Sequence, residues 1–300
     1  MRTRVTVCLC TYRRPQLAAT LNSIAALQLP SDVDINISIA DNDPLGSGKP
    51  IVDAFCANND IEVHYQIQPE KNISLTRNMT VANANGDYLA FIDDDEEADS
   101  QWLLRLLECA QTYQAAAVVG QVDTIYPPES PAWIREGNFL GRQTEATGSQ
   151  LSVGLTGNSL VRRDALPHPS SPFDKKMGTT GGEDSAFFSA IAQNGGKIIA
   201  CREAVVTETA EPHRLNAAYL LAQATRIGET YACTFIAPKS LISRSFHCLR
   251  AMLQSWVGAI AALACKPFSK KYSFQYQMLM QKNMGKVRYL MKRPPVELYK

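Results

Sequence analysis

The sequence contains no CxxC pair and no other cysteine spacing suited to a metal: its eight cysteines, at 8, 10, 56, 109, 201, 233, 248 and 265, are scattered. Most sit inside apolar runs, which excludes a zinc framework and predicts the reduced core thiols of a cytosolic protein. An uninterrupted apolar run of the roughly twenty residues that a spanning helix needs is also missing. The best candidate, CLRAMLQSWVGAIAALAC, is broken by Arg250 and Gln254 and is expected to be too short to cross. At the N-terminus VTVCLC is too short for a signal-peptide core, no small-residue cleavage site follows, and Arg13-Arg14 comes after the apolar run, the wrong order for a twin-arginine signal. The chain is therefore expected to stay where it is made, with the sequons at Asn72 and Asn78 unglycosylated. Internal repeats and low-complexity tracts are absent. Acid is almost missing from the end of the chain: Lys239 to Lys300 holds twelve Lys or Arg against Glu297 alone, a local +11 that leaves −10 for residues 1–238. Such an asymmetry marks a specialised tail for an anionic surface.

What is present is ample material for a core, 300 residues of which 45% are hydrophobic. RVTVCLC (4–10) reads as a strand, and Leu17, Leu21, Ile24 and Leu27 recur at helical spacing after Pro15. The alternation continues with a strand at 34–40, a helix at 49–58, a strand at 61–65, a helix at 74–84 and a strand at 87–92. This predicts a largely parallel sheet with its ligand beyond the carboxyl ends of the strands. The polar residues there are Thr11, Tyr12 and Arg13, then Asp41, Asn42 and Asp43, then Asp93 to Glu97. A second region, 99–210, opens with a helix around Trp102 and a strand at AAAVVGQVDTI, then enters a Pro- and Gly-rich irregular excursion at 126–150. From about 213 the pattern is helical.

Three segments carry chemistry. In FIDDDEE five carboxylates follow a hydrophobic strand; Asp93 and Asp95, two apart, can hold a hard divalent cation, Mn2+ or Mg2+, or the run is a solvated acidic turn. In GGEDSAFFSAIAQ, Glu183 and Asp184 open a helix, where they either cap it or supply a base. The helix dipole lowers a carboxyl pKa there, while a neighbouring acid or burial under substrate raises it again. In NISLTRN, Leu75, Met79 and Ala82 form the apolar stripe, so Arg77 lies off it, either solvated or reaching an anion.

Together VTVCLCTYRRP, IADND, NISLTRN, FIDDDE, LTGNSLVRRDAL and FDKKMGTTGGEDSAF, in that order over about residues 4–215, resemble the family 2 glycosyltransferases, in particular bacterial exopolysaccharide and succinoglycan-type glucosyltransferases. The resemblance implies a GT-A fold: a largely parallel mixed sheet flanked by helices, with a nucleotide-sugar half (1–97), an acceptor and catalytic half (98–212) and a helical basic extension (213–300). It implies inverting transfer from a UDP-sugar, UDP-glucose above others, to a saccharide linked to a polyprenyl diphosphate. Thr11 and Asp41 would hold the uracil, with Tyr12, Arg13 and Asp94 in the nucleotide site. Arg77 would brace the nucleotide, Asp93 lie near ribose or metal, Asp95 ligate the metal in a DXD motif, and Asp184 deprotonate the acceptor. Ser74 stands where a Gly is usual, and Glu208 and His213 compete as third metal ligand. Trp133 and Tyr126 are candidates for stacking on the acceptor, with Glu183 beside them, or are packing residues.

A sugar nucleotidyltransferase would show a Gly-rich phosphate loop after the first strand, where CTYRRP has no glycine. A non-catalytic nucleotide-sugar module would lose the base, whereas Asp184 is retained. No nucleic acid is expected as a partner. The tail, with basic and aromatic residues mixed, is expected to hold the protein peripherally on the inner face of the membrane; the alternative is a core helix at 249–265 packed on the catalytic part.

Overall fold

The computed structural model describes residues 2–179 and 181–296. Contacts divide the chain into two units, one running to Asp123 and resuming at Arg142–Thr209, the other made of Thr124–Gly141 and the chain from Ala210 onward.

The first unit begins with the expected alternation: β1 (Thr3–Thr11), α1 (Leu17–Ala25), β2 (Val33–Asp41), α2 (Lys49–Cys56), β3 (Val63–Ile67), α3 (Ile73–Asn83) and β4 (Tyr88–Ile92). It continues through β5 (Glu96–Ala98), α4 (Trp102–Tyr113) and β6 (Ala117–Ile125). After α5 (Ala132–Gly137), which belongs to the other unit, come β7 (Gln150–Leu151), β8 (Asn158–Arg162), α6 (Glu183–Gln193) and β9 (Ile198–Thr209). Among the described residues the strands form one sheet in the order β3-β2-β1-β4-β8-β6-β9-β5, with β7 against β9. The first four are parallel, as helical crossovers require, and β8 against both β4 and β6, like β5 and β7 against β9, is antiparallel.

Alternate residues of the strands face opposite layers. Val5, Val7, Leu9, Ile37 and Ile39 meet Leu17, Leu21 and Ile24 of α1 and Trp102, Leu103 and Leu106 of α4. Cys8, Leu89 and Phe91 meet Val81 of α3 and Phe187, Phe188 and Ile191 of α6. Phe173 stacks on Phe187 at 4.5 Å between ring centroids and meets Phe91 edge-on at 6.1 Å, which fixes α6 on the sheet. Asn158 joins the second half together: its Oδ1 accepts from Trp102 Nε1 at 2.8 Å, and its amide donates to the carbonyls of Gln121 and Ala204.

Helix α3 corrects the expected stripe. Ser74, Thr76, Thr80 and Val81 are its buried residues, while Leu75 and Met79 are half-buried and Ala82 is exposed. Short hydroxyl side chains let the helix lie close to β1 and β2, and two of them are satisfied within the helix: Thr76 donates to the Asn72 carbonyl and Thr80 to that of Arg77, while Ser74 Oγ is buried without a hydrogen-bond partner among the described residues.

In the second unit the excursion expected to be irregular contains α5, whose Ile134 is in a core with Ala210, Leu215, Leu220 and Phe274. The helices α7 (Ala217–Tyr231), α8 (Leu241–Cys265) and α9 (Lys270–Leu290) follow. A Cβ on Gly228 would stand 1.9 Å from the Lys282 carbonyl oxygen and one on Gly285 2.0 Å from that of Thr225, so glycine at both positions sets how closely α7 and α9 approach. Ser240 and Ser269 cap α8 and α9. Arg250 and Gln254 interrupt the apolar run but not helix α8, and the expectation that the segment is too short to cross is corrected. It runs 25 residues with a mean hydropathy of 1.4 in its most apolar window, and by length and composition alone it is long and apolar enough to cross a membrane.

Candidate active site

The parallel register pairs Thr11 with Asp41, so the carboxyl ends of β1 and β2 lie side by side, with the end of β4 next to them. Asp41 is fully buried and its oxygens are well used: Oδ1 accepts from the Asp43 amide at 2.9 Å, and Oδ2 accepts from the Gly48 amide at 2.7 Å and the Tyr65 hydroxyl at 2.6 Å. Arg13 is held at φ 54°, a left-handed conformation that side chains other than glycine rarely adopt. Its guanidinium donates to both oxygens of Asp43 at 3.1 and 3.2 Å, which holds that carboxyl below its ordinary range, and it lies over the exposed Tyr12 ring at 5.2 Å.

The acidic run does not act as one patch. Asp93, Asp94 and Asp95 occupy a turn, and the chain then re-enters the sheet as β5, which turns Glu96 inward and leaves Glu97 exposed. Asp94 is buried, accepts from the Thr11 hydroxyl at 2.7 Å and is pushed up to about 7, by burial first, against the opposing effect of that hydrogen bond. Asp95 faces Arg14 at 3.3 Å, a partner that sequence inspection overlooked. Glu96, with 0% exposure, accepts from Arg142 at 2.8 Å and from the Asp93 amide at 3.0 Å. Arg142 also reaches Glu208 at 2.7 Å; Glu96 and Glu208 stand opposite each other in the β5–β9 register. A Cβ on Gly157 would lie 2.9 Å from Asp93 Oδ2 and 2.8 Å from Glu96 Oε1, so only glycine leaves those oxygens clear.

Arg77 connects this turn to α6. Its side chain, 12% exposed, is ion-paired with Glu183 and lies 3.8 Å from Asp93 Oδ1. The buried second oxygen of Glu183 has no hydrogen-bond partner among the described residues. The N-cap of α6 is Gly182, in a left-handed conformation and without a side-chain cap, so Asp184 sits inside the first turn and does not cap the helix; its Oδ1 accepts from the adjacent Ser185 amide at 2.6 Å. Asp184 is pushed up to about 6, first by burial and then by the neighbouring Glu183. Desolvation and like charge outweigh the helix N-terminus. Beside Ser185 lies a cavity of about 330 Å³, lined in part by Val119, Arg142, Leu155 and Asn158.

The first unit thus holds Thr11, Tyr12, Arg13, Asp41, Arg77, Asp93, Asp94, Asp95, Glu183, Asp184 and Glu208. Tyr126, Trp133 and His213 belong to the second. There Trp133 packs on Phe139 and Phe274 under the Lys270 ammonium, and the Tyr126 hydroxyl accepts from the Leu140 amide. His213 pairs with Glu211 at 2.9 Å. Besides Arg14, sequence inspection overlooked Arg142, whose partners are 46 and 66 residues away.

A sequence profile described as glycosyl transferase family 2 matches residues 6–168. Over 258 residues the chain is 36% identical to the succinoglycan biosynthesis protein ExoM of Rhizobium meliloti (strain 1021), covering 86% of this chain and 84% of that protein. Among solved structures, the mannosyltransferase PcManGT of Pyrobaculum calidifontis, in complex with GDP-Man and Mn2+, superposes with a TM-score of 0.65 at 15% identity, over 98% of this chain and 89% of the other. The S. aureus TarS fragment 1–349, in complex with UDP-GlcNAc, does so with a TM-score of 0.56 at 12% identity, over 98% and 93%. The sheet order and these likenesses give the GT-A fold, and the profile and the ExoM-like sequence give the family: the chain is a member of glycosyl transferase family 2.

Proposed function

We propose that this protein transfers a sugar, with inversion, from a UDP-sugar, UDP-glucose in the first instance, to a saccharide carried on a polyprenyl diphosphate, in bacterial polysaccharide biosynthesis at the cytoplasmic face of the membrane. The observation that carries the reading is Arg77, which touches both Asp93 of the acidic turn and Glu183 beside Asp184, so that a diphosphate site and a base belong to one centre.

The roles follow from the surroundings of each group. Asp184, titrating near 6, is ionised at neutral pH yet basic enough to take a proton from a sugar hydroxyl. The acceptor oxygen then attacks the anomeric carbon from the side opposite the nucleotide, the bond to the diphosphate oxygen breaks, and UDP departs with the electron pair. The unpartnered oxygen of Glu183 is available to an acceptor hydroxyl, and the cavity beside Ser185 is the acceptor subsite. Thr11, Tyr12, Arg13 and Asp41 form the floor for the uridine.

Asp93 and Asp95 fit a divalent cation. Both are hard oxygen donors on one turn, and Gly157 keeps Asp93 Oδ2 clear. These two carboxylates would supply two of the oxygens of an Mg2+ or Mn2+ ion, with phosphate oxygens and water supplying the rest. When bound, such an ion neutralises charge on the diphosphate. Glu208 is already held by Arg142 and His213 by Glu211. Screening UDP-, GDP- and dTDP-sugars for turnover with Mn2+ or Mg2+ tests the reading: metal-dependent consumption of a UDP-sugar is expected, and turnover of GDP- or dTDP-sugars alone would overturn the donor assignment.

A further inference from the structure

We infer that the outward face of α8 is a docking surface for an anionic lipid bilayer, lying in the plane of its headgroups with α9 on the side away from the lipid. The inference rests on the surface of the second unit and is independent of the proposed reaction.

Helix α8 is apolar on the outside. Ile242, Phe246, Leu249, Leu253, Trp256 and Ile260 recur every three or four residues and are all exposed, Trp256 by 72%. The opposite face is made of small residues, Ala251, Ser255, Gly258 and Ala262, which are buried. Against α9, Ser255 donates to the Met280 carbonyl at 2.9 Å, and Ser273 of α9 donates to that of Ala262 at 2.8 Å. The helix therefore satisfies its partner with small side chains and presents its large ones to the surroundings, the reverse of a soluble surface helix.

Charge selects the occupant. From Thr230 to Val296 there is no Asp or Glu, against eleven Lys and Arg. Part of this charge is gathered along one border of the stripe: the Lys239 ammonium is 3.1 Å from His247 Nε2, and His247 is held below its ordinary range by partial burial and by Lys239, Arg250 and Lys286. Lys286 is lowered in turn by burial, Arg250 and Lys282. Such a mutually repelling group beside an apolar face is relieved by phosphate headgroups while the apolar side chains enter the acyl boundary. The 4-3 spacing would also serve a coiled coil, but pairing two copies would set positive charge against positive charge beside the seam, with no acid between Thr230 and Val296 to offset it. Spanning would strip α9 from α8 or draw Lys282, Lys286 and Arg288 of α9 into the hydrocarbon.

The test uses the full chain and vesicles of phosphatidylcholine with or without phosphatidylglycerol. The expected result is binding to the anionic vesicles at low salt, at least tenfold weaker on neutral ones or at high salt. Leu249→Gln, Leu253→Gln and Ile260→Gln together, at exposed positions, should weaken binding at least tenfold with an unchanged circular dichroism spectrum. Trp256 reports depth, because Trp102 is buried and Trp133 is packed among aromatics. Quenching by acyl chains brominated near the headgroup, lost in Trp256→Phe, is expected; stronger quenching by bromines near the bilayer centre means a spanning helix and overturns the in-plane placement. Equal binding to neutral vesicles, no binding to anionic ones, or a dimer in solution that the triple variant disperses each overturns the inference.

Discussion

Asp184→Asn should move stability and turnover in opposite directions. The carboxyl titrates near 6 instead of near 3.8 because it is desolvated and sits beside Glu183. A folded-state pKa above the unfolded one means that the native state holds the extra proton between those values. The ionised group therefore costs stability, and the cost appears as pH rises through the window from about 4 to 6. The full shift corresponds to at most about 3 kcal/mol, and since the side chain is only partly buried, screening reduces this to about 1–2 kcal/mol. Asparagine removes the charge while keeping an oxygen for the Ser185 amide. Urea denaturation at pH 7.5 should thus show the variant more stable by about 1–2 kcal/mol, with the gain gone below about pH 4. Turnover should fall about a hundredfold or more, because general-base catalysis contributes roughly 10²–10⁴. A variant that is less stable and turns over nearly normally would show Asp184 to be a structural residue.

For the unaltered protein, kcat should drop on the acid side through about pH 6, to about a tenth of its plateau at pH 5, as Asp184 takes up its proton; a flat profile between pH 5 and 8 contradicts the base assignment. Asp95→Ala should abolish metal-dependent binding of UDP in calorimetry, because the cation loses a carboxylate oxygen, and UDP binding with Mn2+ as tight as in the parent would remove Asp95 from the site. Arg142→Gln leaves Glu96, which has no exposure, and Glu208 without their cation, and chemical denaturation should show a loss of about 3–5 kcal/mol; under 1 kcal/mol would mean that the group is solvated. Phe187→Ala opens a cavity between α6 and the sheet, should cost about 3–5 kcal/mol, and should lower turnover by loosening the helix that bears Asp184; a loss below 1 kcal/mol would refute the packing.

The N-terminal half was legible because its strands are β-branched runs bounded by polar turns, and the parallel arrangement brings Thr11, Asp41 and Asp93 to the same edge of the sheet, where the carboxyl-end rule looks for a ligand. What was not legible depended on distant partners. β5 is spelled Glu-Glu-Ala, a poor strand sequence, and becomes one only because β9 supplies its register. The stripe on α3 was misread because hydroxyl side chains, which look solvent-facing in sequence, are what permits close approach to the sheet. Arg77 was placed off the helix's packed face, yet burial between Asp93 and Glu183 gives it the bridging position. In the tail, Arg250 and Gln254 interrupt the apolar run in the sequence, but the helix continues through them for 25 residues, and the hydropathy of the whole helix decides its character.

The configuration of the first product tests the central claim most directly. With UDP-α-glucose, Mn2+ and a saccharide acceptor, proton NMR of the product should show the β-linked sugar, formed about a hundredfold or more faster by the unaltered protein than by Asp184→Asn. An α-linked product, or equal formation by the two proteins, would contradict a single inverting displacement assisted by Asp184.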